Sequence, residues 1–220
     1  MIRAQFTKTD DAVWISHLDL MRVLQRAFRR GGMLLKHSQG FTPHPCLSIA
    51  MPLSVGTASV CELMDFELAE GDTTLPAQIK DRLNASLPAG VQVLDCYDDG
   101  RKMKELKFLQ AVLTLEYDAG VPQAAVTQME VLFAQPSLPV EKHGKNGPVQ
   151  TDIAPMLQAV SLDQTDANTV LLKCTVCAQN PTLNPLLLGE AIRAHLPQAA
   201  PDFYKCCRIG FLDAQMQPFR

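Results

Sequence analysis

The 220-residue chain is poor in aromatic surface and has no excess of positive charge. It contains one Trp and three Tyr, and its 20 Lys and Arg stand against 23 Asp and Glu, for a net charge of -3. Proteins that bind polyanions over their whole surface are usually basic throughout, so any nucleic-acid site here has to be a local patch. With so few Trp and Tyr, base stacking would rest on Phe41, Tyr97 or guanidinium planes. No apolar run approaches the ~20 residues that cross a bilayer, and Arg3, Lys8 and Asp10 interrupt the start before a signal-peptide core forms. A cytoplasmic protein without membrane association is expected. Seven cysteines, an odd number with no secretion signal, read as reduced thiols rather than a disulfide framework.

What is present is an ordinary globular composition, 47% hydrophobic and 20% charged, long enough for one large domain or two small ones. Ile2 to Phe6 alternates as a strand, Thr7 to Asp11 is turn-like, and Ala12 to Ile15 resumes an extended pattern. Ser16 followed by Asp19 has the form of a helix N-terminus. Leu20, Val23, Leu24, Ala27 and Phe28 then make one apolar stripe, and Gly31-Gly32 ends the helix. On its other side Arg22, Arg26, Arg29 and Arg30 line up three, four, seven or eight positions apart. A solvated helix face accounts for this row, and so does a track for phosphates, because guanidinium is a planar bidentate donor.

Met33 to Lys36 reads as a short strand. The loop after it, HSQGFTPHPC, carries His37, Ser38, Gly40, Phe41, Pro43, His44 and Pro45, more chemistry than a connection requires. Folded over the helix start, it would bring His37 and His44 to His17, Asp19 and the arginines in one pocket. Such a set suits phosphate binding or acid-base work. The histidine spacing matches no zinc pattern, so no metal is expected. Leu47 to Met51 and Ser59 to Leu68 are extended, a helix runs through Leu75, Ile79 and Leu83, and Val91 to Cys96 is a strand.

After the polar linker Asp98 to Lys102 the order recurs. Phe108 to Tyr117 is a strand, Gln123 to Phe133 a helix, and Pro136 to Lys142 extends toward the turn HGKNGP. Gln150 to Leu162 is ambiguous. Thr169 to Ala178 is a strand, Asn184 to about His195 a helix, and Phe203 to Leu212 the last strand. Both halves thus read β-α-β-β-α-β, which predicts an α+β fold of two tandem ferredoxin-like βαββαβ units with antiparallel sheets, at residues 1–99 and 106–220. Lys142, His143 and Lys145 in the turn make a second small basic spot able to extend an RNA surface. Cys46, Cys61 and Cys96 stand among apolar neighbours as small buried hydrophobes. Cys174 and Cys177, three apart in a strand, point to opposite faces, and adjacent Cys206 and Cys207 do likewise; none is expected to share a metal.

Ser16, His17, Leu18, Asp19 and Arg22 carry an SHLDxxR pattern. Ser38, Gly40, Phe41, Pro43, His44 and Pro45 then form an SxGFxPHP loop, and Pro52, Leu53, Gly56, Glu62 and Asp65 a PLxxG turn with an ExxD strand. In these ordered motifs the chain resembles the radical SAM-associated family DUF2344, closely in its first half and loosely in its second. Members of that family occur fused to the C-terminal side of a B12-binding-type radical SAM protein, or as separate chains encoded beside one, often near genes for RNA-processing and ribosomal proteins. The CxxxCxxC motif of a radical SAM module is absent from this sequence. The resemblance therefore implies an accessory, substrate-presenting role with no cofactor of its own. The radical SAM partner would carry the iron-sulfur cluster and S-adenosylmethionine.

Three functions stay open. In the first, the chain binds RNA for that partner through Arg22, Arg26, Arg29, Arg30, His17, His37, His44, Lys142 and Lys145. In the second it is a protein-interaction scaffold for the partner. In the third it is an RNA-processing enzyme using His17 or His44, with Asp19 as a further catalytic candidate. Tandem ferredoxin-like units also look like CRISPR endoribonucleases and some pseudouridine synthases, but fold analogy is a weak guide to function. The first of these predicts a Gly-rich C-terminal loop that is absent, and the second a catalytic aspartate in an extended segment, whereas Asp19 falls on a helix.

Overall fold

The computed structural model describes residues 1–144 and 147–220. The chain divides into two compact units, Met1–Glu105 with Phe219–Arg220, and Leu106–Pro218. Both are α+β, and every strand pairing described within them is antiparallel. No helix among the described residues is long and apolar enough to cross a membrane.

The first unit contains β1 (Ile2–Lys8), α1 (His17–Arg30), β2 (Leu47–Ile49), β3 (Thr57–Phe66), α2 (Pro76–Asn84) and β4 (Val91–Tyr97). Its strands lie in the order β4-β1-β3-β2. Ala4 pairs with Met64 and Phe6 with Glu62, so their side chains share a face of the sheet, while Arg3 and its partner Asp65 fall on the other. Leu20, Leu24, Ala27 and Phe28 of α1 pack with Ile79 and Leu83 of α2 against Ala4, Phe6, Met64 and Phe66. The Phe28 and Phe66 rings meet edge-to-face, 4.7 Å between centroids. Burying this stripe is what holds α1, because its 14 residues are marginal as an isolated helix in water.

The second unit contains β5 (Phe108–Glu116), α3 (Ala125–Phe133), β6 (Pro139–Gly144), β7 (Gly147–Asp152), β8 (Leu157–Gln164), β9 (Thr169–Cys177), α4 (Leu186–His195) and β10 (Phe203–Leu212). The order β10-β5-β9-β8 forms one sheet, while β6 and β7 pair as a separate hairpin. Along β5 each alternate residue, Leu109, Ala111, Leu113 and Leu115, is fully buried. Buried Met129 and Leu132 come from α3, and Leu188, Ala191 and Ile192 from α4.

Three segments differ from expectation. Ala12 to Ile15 is no strand: Asp10–Trp14 forms a 3-10 turn, entered through Asp10 at φ 49° and tied down by the Thr9 N–H donating to Gly90 O at 2.8 Å. Met33 to Lys36 makes a single bridge, Leu35 with Leu68, because the chain turns away into the histidine loop. In the second unit Pro136 to Lys142 does not enter the main sheet. Among the described residues its strand pairs with β7 alone, and the ambiguous Gln150 to Leu162 supplies the end of β7 and most of β8. Asp152 marks that exit, its Oδ1 accepting the Leu138 N–H at 2.7 Å and the Ala154 N–H at 3.1 Å.

Candidate functional site

The site begins with the capping of α1. Ser16 Oγ accepts the Asp19 N–H at 3.2 Å and donates to Asp19 Oδ2 at 2.7 Å. Arg22 Nη1 donates to the other oxygen of the same carboxylate at 2.7 Å. The Ser16 hydroxyl first and Arg22 second hold the Asp19 carboxyl below its usual range. An exposed carboxylate kept acidic in this way steadies the Ser16 cap and anchors Arg22, and is a poor general base. At the other end Gly32 takes φ 71°, the left-handed conformation that glycine adopts most cheaply, and the Met33 N–H returns to Phe28 O at 2.9 Å.

All four arginines of the expected row are exposed. Arg22 is engaged with Asp19, and Arg30 Nη2 donates to Ser86 O at 2.6 Å. Arg26 and Arg29 make no hydrogen bond or ion pair with any other described residue. They stand between the two anchored ones on neighbouring turns, which leaves two guanidinium forks with all their donors open.

The three histidines do not converge. His17 opens α1 with Nδ1 buried and without a partner among the described residues. Burial first, and the fully buried Lys8 second, lower its pKa. It is therefore neutral near pH 7 and no cation for phosphate. His37 lies beyond the far end of the helix. It shares a cavity of about 290 Å³ with Arg29, which is twelve residues past His17 and thus about 18 Å along the axis.

His44 closes its own loop. The Ser38 N–H donates to His44 O at 2.8 Å and the His44 N–H to Ser38 Oγ at 3.1 Å, with Nδ1 of the ring 2.8 Å from the same hydroxyl. Gly40 at φ 148° makes the bend, Pro43 and Pro45 stiffen its return, and Phe41 at the tip is wholly exposed. The GFTPHP residues thus build one stapled loop. His44 lines a second cavity, of about 210 Å³, with Pro45, Cys46 and Asp65.

The remaining motif residues are held within the fold. The Gly56 N–H donates to Val13 O at 2.8 Å, and its φ of 80° again calls for glycine. Glu62 is fully buried beside Phe6. Asp65 receives Arg3 as a two-pronged buried pair, Nε to Oδ1 at 2.6 Å and Nη2 to Oδ2 at 2.9 Å. Sequence reading missed Arg3, taking it only as a break in an N-terminal apolar run. Its place in the alternation of β1 was the available signal. Arg3 and Arg101 both stand over the Phe219 ring, 5.5 and 4.8 Å from its centroid.

In the second unit Lys142 is exposed on β6, opposite Val149. Lys145 lies outside the described residues. Cys174 pairs with Ala111 and is buried, while Cys177, opposite Phe108, is half-buried. Burial pushes the thiols of Cys96, Cys174 and Cys206 up to about 12. Among the described residues no three His, Cys, Asp or Glu side chains cluster as metal ligands.

Fold and site together define an α+β protein with a basic helix face bordered by a stapled histidine loop. The chain belongs to the family described as "Uncharacterized protein conserved in bacteria (DUF2344)", whose family model matches residues 1–185. Among curated proteins no sequence matches it. Solved structures similar to it include a Cbf5-Nop10-Gar1 complex, at 10% identity and TM-score 0.49, covering 94% of this chain and 47% of that one. Another is the archaeal box H/ACA sRNP Nop10-Cbf5 complex, at 10% identity and TM-score 0.41, covering 94% and 46%. A third, an H/ACA RNP bound to a substrate RNA containing 2'-deoxyuridine, has 11% identity and TM-score 0.40, covering 97% and 48%. The chain spans about half the length of these three.

Proposed function

We propose that this protein binds RNA through the outer face of α1 and presents it to a separate radical SAM enzyme, which carries the iron-sulfur cluster and S-adenosylmethionine. The observation that carries the reading is the pair Arg26 and Arg29, exposed and without partners among the described residues, flanked by Arg22 and Arg30 on the same helix. Four guanidinium groups on one side of a helix create the local basic patch that a chain of net charge -3 needs in order to hold phosphates. We take each unit to be ferredoxin-like. The orders β4-β1-β3-β2 and β10-β5-β9-β8, counted along the chain among these four strands of each unit, both run fourth, first, third, second, and this supports the assignment.

Fluorescence anisotropy with short labelled RNAs tests the reading. Wild type binds at low salt, and the triple variant Arg22→Gln, Arg26→Gln, Arg29→Gln loses that binding. The slope of log K against log salt drops by about 0.7 per arginine removed. No binding by wild type at low salt would end the RNA reading.

One observation favours the scaffold reading as well. Trp14, Leu18 and Val55 are exposed around the start of α1, where a Cβ on Gly56 would come within 3.5 Å of the Trp14 ring. Exposed apolar side chains gathered in this way suit contact with a protein partner. Catalysis by His17, Asp19 or His44 gains no support from the geometry, since His17 and His44 have separate surroundings and the Asp19 carboxylate is taken up by Ser16 and Arg22.

A further inference from the structure

The cavity between the end of α1 and the histidine loop is built for more than a phosphate. Its floor is apolar, formed by the buried side chains of Phe28, Met33 and Leu35 together with Pro45. Its rim carries Gln25, Arg29 and His37, the first two one helical turn apart on the face where the arginines begin. Leu34, also lining it, is largely exposed, which leaves an apolar lip open to solvent.

The hydrogen-bonding character of the rim follows from the geometry. His37 Nδ1 lies 3.1 Å from Leu35 O. A carbonyl oxygen only accepts, so Nδ1 is the donor of this contact, and the tautomer protonated there offers Nε2 as an acceptor. Gln25 offers an amide donor and acceptor, and Arg29 offers donors on a flat group able to lie against another ring. An apolar floor with one acceptor, one mixed group and one planar donor at its edge matches a flat heterocycle bearing N–H and C=O groups.

We propose that this cavity receives one unstacked nucleobase of a bound RNA, edge toward His37 and Gln25, while the adjoining phosphates lie on Arg26 and Arg22. The inference rests on the RNA-binding reading and sharpens it from backbone attraction to base recognition in a single-stranded segment. The occupant is a base on a nucleic-acid chain rather than a free ring because the open Arg26 and, beyond it, Arg22 continue from the cavity mouth along the same helix. Single-strand recognition of this kind splays bases into pockets while the backbone follows a cationic track.

The test compares the four homo-oligomeric RNAs with a ribose-phosphate oligomer of equal length that lacks bases, using wild-type protein at low salt. At least one base-bearing oligomer binds about tenfold or more tightly than the abasic one, the order expected for one stacked base. Methyl-labelled methionine supplies a local reading, because the Met33 methyl, assigned through Met33→Leu, shifts when that oligomer is added. Gln25→Ala with His37→Ala removes the preference among bases and leaves the salt slope unchanged. Equal binding of base-bearing and abasic oligomers, still dependent on the arginines, overturns the pocket and keeps the RNA reading. Absence of any binding at low salt overturns both.

Discussion

His17 shows how a residue of an apparent active-site motif turns inward. It was expected in a pocket with His37 and His44, yet its Nδ1 is buried and its pKa is lowered from 6.5, by burial first and then by Lys8. The folded chain therefore binds this proton less readily than the unfolded chain. The stability it contributes is complete above about pH 6.5 and is lost as pH falls from there through the folded pKa, below which the loss stops growing. Urea unfolding of wild type at about pH 7.5 and about pH 5.5 should show a loss of stability on acidification that is smaller in His17→Gln. An equal loss in both proteins would show that His17 contributes nothing to it. Arg3 and Asp65 make the converse point. Asp65 stood out as a motif residue and Arg3 did not, and register brings them together as a buried pair.

Among the elements, α1 was the most legible. Its stripe, its Ser16 start and its glycine stop all follow from spacing and side-chain chemistry, and the observed bounds are His17–Arg30. Ser16→Ala removes the acceptor for the Asp19 N–H and the donor to its carboxylate, and should lower stability by about 1 kcal/mol. Asp19→Asn, which keeps the serine cap, should lose less, and chemical denaturation of both variants checks the order. The histidine loop was legible in composition and not in direction. Its glycine and prolines announce a bend, but the Ser38 and His44 staple that keeps His44 away from His17 depends on two groups six residues apart meeting across it. The β6-β7 hairpin was misplaced for a similar reason, since extended segments look alike whichever neighbour they pair with.

At the scale of the molecule, the proposed work divides between the arginines of the α1 face, for RNA, and the exposed apolar side chains Trp14, Leu18 and Val55 near the start of that helix, for protein. On the proposed function, the tagged chain should co-purify with an iron-sulfur protein that binds S-adenosylmethionine. Leu18→Ser with Val55→Ser should weaken that capture, while the triple arginine variant should spare it. Loss of capture in the arginine variant alone would mean that the link between the two proteins is RNA.

The sequence by itself determined the α+β class, the principal strands, both ends of α1 and the row of arginines along it. These depend on periodicity, caps and breakers acting within a few residues. The tertiary structure decided which of the row are anchored and which are open, sent His17 inward, stapled His44 into its own loop and set His37 beside Arg29. It also chose β8 over β6 for the sheet. These outcomes turn on contacts between groups distant along the chain, where burial and hydrogen-bond satisfaction outweigh local preference.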